Sequence, residues 1–233
     1  MRILAIETSG QRGSLATLCG EPDVLRTVRQ TMLTEDTRTA QSLAPALQSL
    51  LADSGWSPDS IEVVAVAVGP GSFTGLRIGV TTAKTFAYAV SAEIVGVNTL
   101  TVLAQQVPPS PTSLWAIMDA QRGELFAARF DSTDGVALTI ARETSVVTQD
   151  AWLAALQSGD RVTGPALRRV LPRLPNDIAI VPEEYWQPMG EAVGQAGWQA
   201  YRAGHRDDIW KLVPHYYRVS AAEEKAQQRH QTQ

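Results

Sequence analysis

The sequence predicts an α/β protein made of two copies of one lobe, each a mixed sheet flanked by helices. Three observations predict this duplication. The stretch "AIETSGQRGSLA" at 5–16 returns, with one gap, as "AIMDAQRGELFA" at 116–127. A Gly-Pro pair follows a predicted strand and precedes a predicted helix in both halves, in "VAVAVGPGSFTGL" and in "DRVTGPALRRVL". The order of predicted strands and helices is also the same in the two halves.

The first half is predicted to begin as an antiparallel meander and to continue through helical crossovers. Residues 2–7, 13–19 and 24–31 alternate or run apolar between short polar breaks, which is typical of strands joined by turns. Apolar residues then recur at helical spacing from 36 to 53. The remaining predicted elements are a strand at 62–68 that is buried on both faces, a helix at about 74–90 and a strand at 93–97.

The second half restarts after the proline-rich segment 107–113, which we interpret as a linker. The predicted elements are strands at 114–119, 124–130 and 136–147, a helix at 149–157 capped by Thr148, a strand at 161–163, a helix near 165–172 and a strand at 178–181. A helix is predicted at 188–204 and an irregular segment at 212–219. We therefore expect a lobe at 1–106, a smaller lobe at 107–215 and a polar helical tail at 216–233.

Composition restricts the classes of function. The net charge of −4 and the pI near 5.4 argue against a protein that binds nucleic acid alone, because phosphate binding depends on clustered Lys and Arg. The single cysteine, Cys19, excludes an internal disulfide and favours a reducing compartment. The sequence has neither a signal sequence nor an apolar run of membrane-spanning length, so we expect a cytoplasmic protein without a membrane partner.

Two predicted helices carry the residues expected at a protein interface. On the helix at 74–90, glycine and alanine recur every four residues, so another helix or a sheet can approach its backbone closely. That neighbour is either the lobe's own sheet or another chain. The helix at 36–53 carries a broad leucine stripe. The predicted interface residues are Leu43, Leu47, Leu50, Leu51, Gly75, Gly79, Ala83 and Ala87.

A glycine-rich turn connects the strand at 62–68 to its helix and is a candidate anion site. Backbone amides at a strand-to-helix turn can receive a phosphate, although the spacing matches neither a Walker loop nor a dinucleotide fingerprint. A tight turn that only allows close packing is the alternative. The residues expected to face an anion or nucleotide there are Gly69, Gly71, Ser72, Thr74 and Gly75.

Glu7 and Asp119 end the first strand of each half and are expected to face the cleft between the lobes. In two-lobed nucleotide-binding folds such carboxylates hold a metal or order water; here a structural role is the alternative. The three histidines, His205, His215 and His230, lack the i, i+4 spacing of helical metal ligands, and no serine lies in a G-x-S-x-G elbow. We therefore predict neither catalytic residues nor a metal site.

Five segments carry a family resemblance. At "ILAIETS", "GPGSFTGLRIG", "VGVNTL", "MDAQRGELFAARF" and "PHYYRVSAAEEK" the chain resembles the TsaB (YeaZ) family. The resemblance implies ribonuclease-H-like lobes of the actin-like ATPase (ASKHA) class. It also implies a non-catalytic scaffold subunit that pairs with a TsaD-like transferase and works with a TsaE-like ATPase in the threonylcarbamoylation of adenosine beside the tRNA anticodon. ATP is then handled by the partner subunits, and tRNA is reached only through the complex.

Departures from the related catalytic subunits strengthen the expectation of a scaffold. Their His-x-x-x-His metal motif is replaced by "EDTRTAQS". Separately, Glu7 stands where Asp is commoner among TsaB-like chains, and this departure argues against a bound metal or nucleotide. Despite the older glycoprotease-like labels of the family, no nucleophile or metal cluster supports peptide hydrolysis. We expect the helices at 36–53 and 74–90 to dock the partner, with a homodimer in isolation as an alternative. The alternative function is an ATP-dependent phosphotransferase of the sugar-kinase class that uses the interlobe cleft.

Overall fold

The structure, a computed structural model, describes residues 1–21, 24–34, 39–132 and 138–218. The strands of this described part are β1 Arg2–Glu7, β2 Ser14–Gly20, β3 Leu25–Met32, β4 Val63–Gly69, β5 Glu93–Asn98, β6 Leu114–Gln121, β7 Glu124–Asp131, β8 Thr139–Thr148, β9 Arg161–Thr163 and β10 Ala179–Ile180. Its α-helices are α1 Thr39–Asp53, α2 Phe73–Val90, α3 Thr99–Gln105, α4 Gln149–Ala155, α5 Leu167–Val170 and α6 Gly190–Arg202.

The two sheets have the same strand order. The first runs β3-β2-β1-β4-β5, and the second, taken from the equivalent edge, runs β8-β7-β6-β9-β10. In each sheet the first strand in chain order, β1 or β6, is antiparallel to the second, β2 or β7. It is parallel to the fourth, β4 or β9. This repeated topology confirms the predicted fold class of two duplicated ribonuclease-H-like lobes with mixed sheets and flanking helices.

The strands β1, β2 and β4 of the first sheet are buried on both faces, which explains their continuous apolar runs, whereas the edge strand β3 is largely exposed. Side chains alternate along β1, so that Leu4 and Ile6 face the layer of α1 and α2, whereas Ile3 and Ala5 face α6. The sequence of β4 follows the same alternation, and every one of its residues is buried. The predicted strand buried on both faces is therefore confirmed.

Helix α6 comes late in the chain but packs on the first sheet. Small residues bring it close: a Cβ placed on Gly194 would lie 2.2 Å from Leu18 Cδ1, and one on Gly197 would lie 2.5 Å from the Cβ of Ala65. The division at 106/107 remains a proposal, but this packing corrects the extent of the second lobe. Residues 190–202 lie within the predicted range 107–215 and belong to the core of the first lobe.

Helix α3 lies where the two lobes meet. Leu100 and Leu103 pack with strand residues of the second sheet, whereas Val102 packs in the core under α6. The opposite face of the second sheet packs on α4 and α5 through Trp115 and Trp152, whose rings meet edge to face at 6.5 Å. The lobes therefore share a continuous apolar contact.

Residues 207–218, the C-terminal strap, run from the first lobe to the second. The Asp207 carboxylate accepts a hydrogen bond from the amide of Gly96 at 2.7 Å. Lys84 on α2 donates to the carbonyl of Leu212 at 2.9 Å. At the far end, Arg218 donates to the carbonyl of Ala120 at 2.7 Å. The strap joins β5, α2 and the β6–β7 hairpin.

Most predicted elements are confirmed within a few residues, and Thr148 caps α4 by accepting from the amide of Ala151. Helix α3 was not predicted. The predicted helix near 165–172 is a four-residue α-helix followed by a 3-10 turn at 171–173. Of the predicted tail at 216–233, residues 219–233 lie outside the described residues, as do 36–38 of the first predicted helix. In the described part, no helix combines the length and the hydropathy needed to cross a membrane.

Candidate functional site

A cleft of about 1250 Å³ lies between the two lobes. The end of β1, the turn after β4 and the start of α2 form one wall, and the β6–β7 hairpin and α5 form the other. The end of the C-terminal strap closes one side with His215, Tyr216, Tyr217 and Arg218. A ligand in the cleft would therefore touch both lobes.

The glycine-rich turn after β4 lies on the cleft wall, but its own chain fills much of it. The amide of Ser72 donates to the carbonyl of Ser9 at 2.8 Å, and the amide of Gly75 donates to the Ser72 hydroxyl, which caps α2, at 3.2 Å. Two amides of the turn are thus already used. Gly69, Gly71 and Thr74 complete it, and an anion at this turn remains a proposal.

The small residues of α2 seat the helix on the end of β1. A Cβ on Gly75 would lie 2.0 Å from the carbonyl oxygen of Thr8, and one on Gly79 would lie 2.1 Å from the Thr8 hydroxyl. That hydroxyl in turn donates to the carbonyl of Gly75 at 2.8 Å. These residues are therefore small because α2 packs closely on the end of the lobe's own first strand.

This packing corrects the predicted partner interface. The four leucines of α1 and the four small residues of α2 are all buried within the first lobe. The lobe's own elements cover all eight, because the apolar stripe of each helix faces the sheet. The buried residues are Leu43, Leu47, Leu50, Leu51, Gly75, Gly79, Ala83 and Ala87.

Glu7 is fully buried behind the cleft wall. One carboxylate oxygen, Oε1, accepts hydrogen bonds from the amide of Ser9, at 2.7 Å, and from the Ser9 hydroxyl. The other, Oε2, accepts none from the described residues. Burial raises the pKa of Glu7 to about 7, although the hydrogen bonds from Ser9 and the amide of Gly10 oppose this shift. Contrary to the expectation, Glu7 does not line the cleft.

Asp119, the counterpart of Glu7 in the second lobe, does line the cleft. Its Oδ2 forms an ion pair with Arg169 of α5 at 2.8 Å, and its Oδ1 accepts from the amide of Gln121 at 3.0 Å. Both carboxylate oxygens are thus engaged by the chain. The structure does not bring Glu7 and Asp119 together as a pair of cleft carboxylates.

The cleft also contains groups that sequence reasoning did not select. Five arginines from four elements line it, together with aromatic residues of α2 and the strap. Each is an ordinary residue in its own segment, so no local motif marks the group. The arginines are Arg77, Arg122, Arg168, Arg169 and Arg218.

No three His, Cys, Asp or Glu side chains converge within the described part of the chain. Of the histidines, His205 lies 3.1 Å from the Asp207 carboxylate, His215 lines the cleft and His230 lies outside the described residues.

A protein-family model matches part of this chain. The model of TsaD, described as tRNA N6-adenosine threonylcarbamoyltransferase, matches residues 36–162, which is more than half of the chain. The chain belongs to the TsaD family. The match begins at α1 and ends within β9, so it covers the glycine-rich turn and the β6–β7 hairpin.

Relatives confirm the resemblance to TsaB (YeaZ). The chain is 29% identical to the tRNA threonylcarbamoyladenosine biosynthesis protein TsaB of Bacillus subtilis over 97% of each chain. It is 35% identical to TsaB of Escherichia coli over 56% of this chain and 55% of that protein. The solved structure of YeaZ from Pseudomonas aeruginosa superposes with a TM-score of 0.76 at 21% identity, covering 92% of this chain and 99% of that one. Its likeness supports the fold, and the curated relatives are named biosynthesis proteins.

Proposed function

We propose that this chain is the non-catalytic scaffold subunit of a cytoplasmic complex that attaches a threonylcarbamoyl group to adenosine beside the tRNA anticodon. A TsaD-like subunit is its partner and carries out the transfer. A TsaE-like ATPase completes the complex, and ATP is handled by these partners. The family and the names of the relatives support the pathway.

The state of the cleft carboxylates supports the scaffold role. Asp119 is the one acidic residue among the described residues that line the cleft, and Arg169 holds it at 2.8 Å. Glu7 lies buried behind the cleft wall, and its carboxylate accepts hydrogen bonds from Ser9. A general base or metal ligand has to reach the reacting atoms, and neither group does so in this arrangement.

The outward faces of α1 and α2 are the proposed docking surface. On α1 the exposed residues Ala40 and Ala44 stand four positions apart, so a partner helix can approach closely there, and Gln48 and Ala52 continue the exposed row. On α2 the exposed face includes Thr81 and Tyr88, and the Tyr88 side chain is 66% exposed. This surface replaces the buried leucines and glycines as the site of contact.

The decisive variant is Ala44→Arg, which adds a long charged side chain in the middle of the exposed row. Ala154→Arg is the matched control, because Ala154 is an exposed alanine on α4 of the second lobe. We expect Ala44→Arg to weaken co-elution with the TsaD-like partner at least about tenfold, since burying an unpaired charge is costly, and to lower tRNA modification in parallel. The control should behave as the unaltered chain.

Normal co-elution and full tRNA modification with Ala44→Arg would refute this docking surface. Gly79→Leu cannot serve here, because its side chain would clash with Thr8 and unfold the lobe. Calorimetry of the isolated chain with ATP separates the phosphotransferase alternative, which requires binding and turnover without partners. The elution volume of the isolated chain tests a homodimer through the same face.

A further inference from the structure

The interlobe cleft concentrates positive charge in an acidic protein. Among the described residues that line the cleft, the Asp, Glu, Lys and Arg residues are five arginines and one aspartate, whereas the whole chain has a net charge of −4. Ion pairs with Glu183 and Glu124 bring two more carboxylates to the rim. Among these described residues, five guanidinium groups face three carboxylates, so the field that they produce favours an anion.

The pairs at the rim are weak enough to be exchanged. Arg168 and Arg169 on α5 have side chains that are 61% exposed, and they contact Glu183 and Asp119 at 2.8 Å each. Exposed ion pairs contribute at most about 1 kcal/mol, because water screens them. A phosphate, which accepts charge-assisted hydrogen bonds from arginine forks, can therefore compete for these guanidinium groups.

An aromatic platform stands at the same mouth. The rings of Phe73 on α2 and Tyr216 on the strap lie 4.7 Å apart and are tilted by 31°. The Arg77 guanidinium lies over the Phe73 ring at 3.9 Å and donates to the Tyr216 hydroxyl at 2.9 Å. Tyr216 remains 43% exposed. A partly open aromatic surface next to arginines is the surface on which unpaired nucleobases stack.

We propose that the mouth of the interlobe cleft binds RNA directly, with a base on the exposed ring of Tyr216 and phosphates on Arg122 and Arg168. The identity of the RNA as tRNA rests on the proposed function. An extended ligand fits better than a compact one, because the arginines come from α2, the β6–β7 hairpin, α5 and the strap. The glycine turn that would cradle a compact phosphate group is partly filled by Ser9.

This inference differs from the expectation that tRNA is met only through partner subunits. Net charge is a sum over the whole chain, whereas binding depends on the charge within about one Debye length, roughly 8–10 Å, of the phosphates. Folding brings together arginines that are up to 141 positions apart in the sequence, Arg77 and Arg218. An acidic chain can thus present a basic site.

The test uses fluorescence anisotropy of a labelled anticodon stem-loop RNA with the full-length isolated chain. The double variant Arg122→Glu/Arg168→Glu is expected to raise Kd at least about tenfold and to flatten the salt dependence, whose log–log slope falls by roughly 0.7 for each phosphate that is no longer neutralised. Tyr216→Ala should raise Kd roughly 5- to 100-fold because the base can no longer stack on the ring. Arg26→Glu/Arg29→Glu, an equal charge change at two exposed sites on β3 outside the cleft, should stay within about twofold.

Three results would overturn the RNA site: no measurable RNA binding, an equal loss in Arg26→Glu/Arg29→Glu, or binding of ATP that displaces RNA and depends on the same arginines. The same variants are tested for co-elution with the TsaD-like partner, which should be unchanged because Arg122 and Arg168 belong to the β6–β7 hairpin and α5 of the second lobe and not to α1 or α2. Loss of co-elution in Ala44→Arg with RNA affinity intact supports both proposals. RNA binding without any partner binding by the unaltered chain leaves this site standing and refutes the scaffold.

Discussion

In the first lobe, the acidic residue that ends the first strand, Glu7, is buried and bonded to Ser9, whereas in the second lobe Asp119 lies on the cleft surface in an ion pair with Arg169. The helix after the fourth strand of each sheet also differs in length, because α2, after β4, has 18 residues and α5, after β9, has four. Both lobes keep the same strand order. The same sheet topology therefore accommodates a carboxylate that is buried in the first lobe and one that lies on the surface in the second.

The largest expected effect comes from disrupting the close packing of α2 on the end of β1. Gly75→Ala places a Cβ where the carbonyl oxygen of Thr8 lies only 2.0 Å away, and a backbone atom at the end of a central strand cannot move aside. We expect a loss of about 4 kcal/mol or more in the free energy of unfolding, measured by urea denaturation.

Gly123→Ala in the β6–β7 turn is the matched change in the second lobe, because open space surrounds it and its φ is +78°. Its expected cost is about 1–2 kcal/mol, from the left-handed backbone alone. Equal costs for the two substitutions would contradict the tight seat.

The next effect concerns pH. Because the folded-state pKa of Glu7, about 7, exceeds its ordinary value of 4.5, the unfolded chain releases this proton first as pH rises. The free energy of unfolding should therefore decrease by about 3 kcal/mol between about pH 4.5 and pH 7 and then level off. This decrease is measured relative to Glu7→Gln, which lacks the titrating carboxyl. Denaturation curves at several pH values give this difference.

Asp119→Asn provides the control from the second lobe, since it keeps Glu7 and should retain the slope of the unaltered chain between pH 4.5 and pH 7. Parallel curves for Glu7→Gln and the unaltered chain would show that the Glu7 carboxyl does not titrate in this range.

The smallest effect is the ion pair of the second lobe. A double-mutant cycle with Asp119→Asn and Arg169→Ala should give a coupling free energy of less than about 1 kcal/mol, because the side chains are 33% and 61% exposed. A coupling of several kcal/mol would mean that the second lobe also depends on its carboxylate.

The sequence predicted the strands and their order because burial on both faces leaves continuous apolar runs, and because the two halves repeat each other. It did not predict α3. This helix has seven residues, "TLTVLAQ", directly after β5, and an apolar segment of that length has no readable period. Its start is visible only as Asn98, which caps it by accepting from the amides of Leu100 and Thr101.

The site was harder to predict than the fold. A stripe of leucine or glycine shows that a helix packs closely, but it does not show against what, and here the neighbour is the lobe's own sheet. The exposed alanines Ala40 and Ala44 also stand four positions apart, and spacing alone does not distinguish them from the buried small residues of α2. The burial of Glu7 and the meeting of five arginines depend on contacts between distant segments, which one sequence does not reveal.

The late arrival of α6 sets a limit on how this chain can fold during its synthesis. One face of the first sheet, with Ile3, Ala5 and Ala65, is covered by residues 190–202. When the ribosome has finished the first five strands, that face still lacks its cover, and the second lobe must be made before the cover emerges. The first lobe therefore cannot complete its core ahead of the second, and a nascent chain stopped before Gly190 would expose an apolar surface to chaperones and proteases.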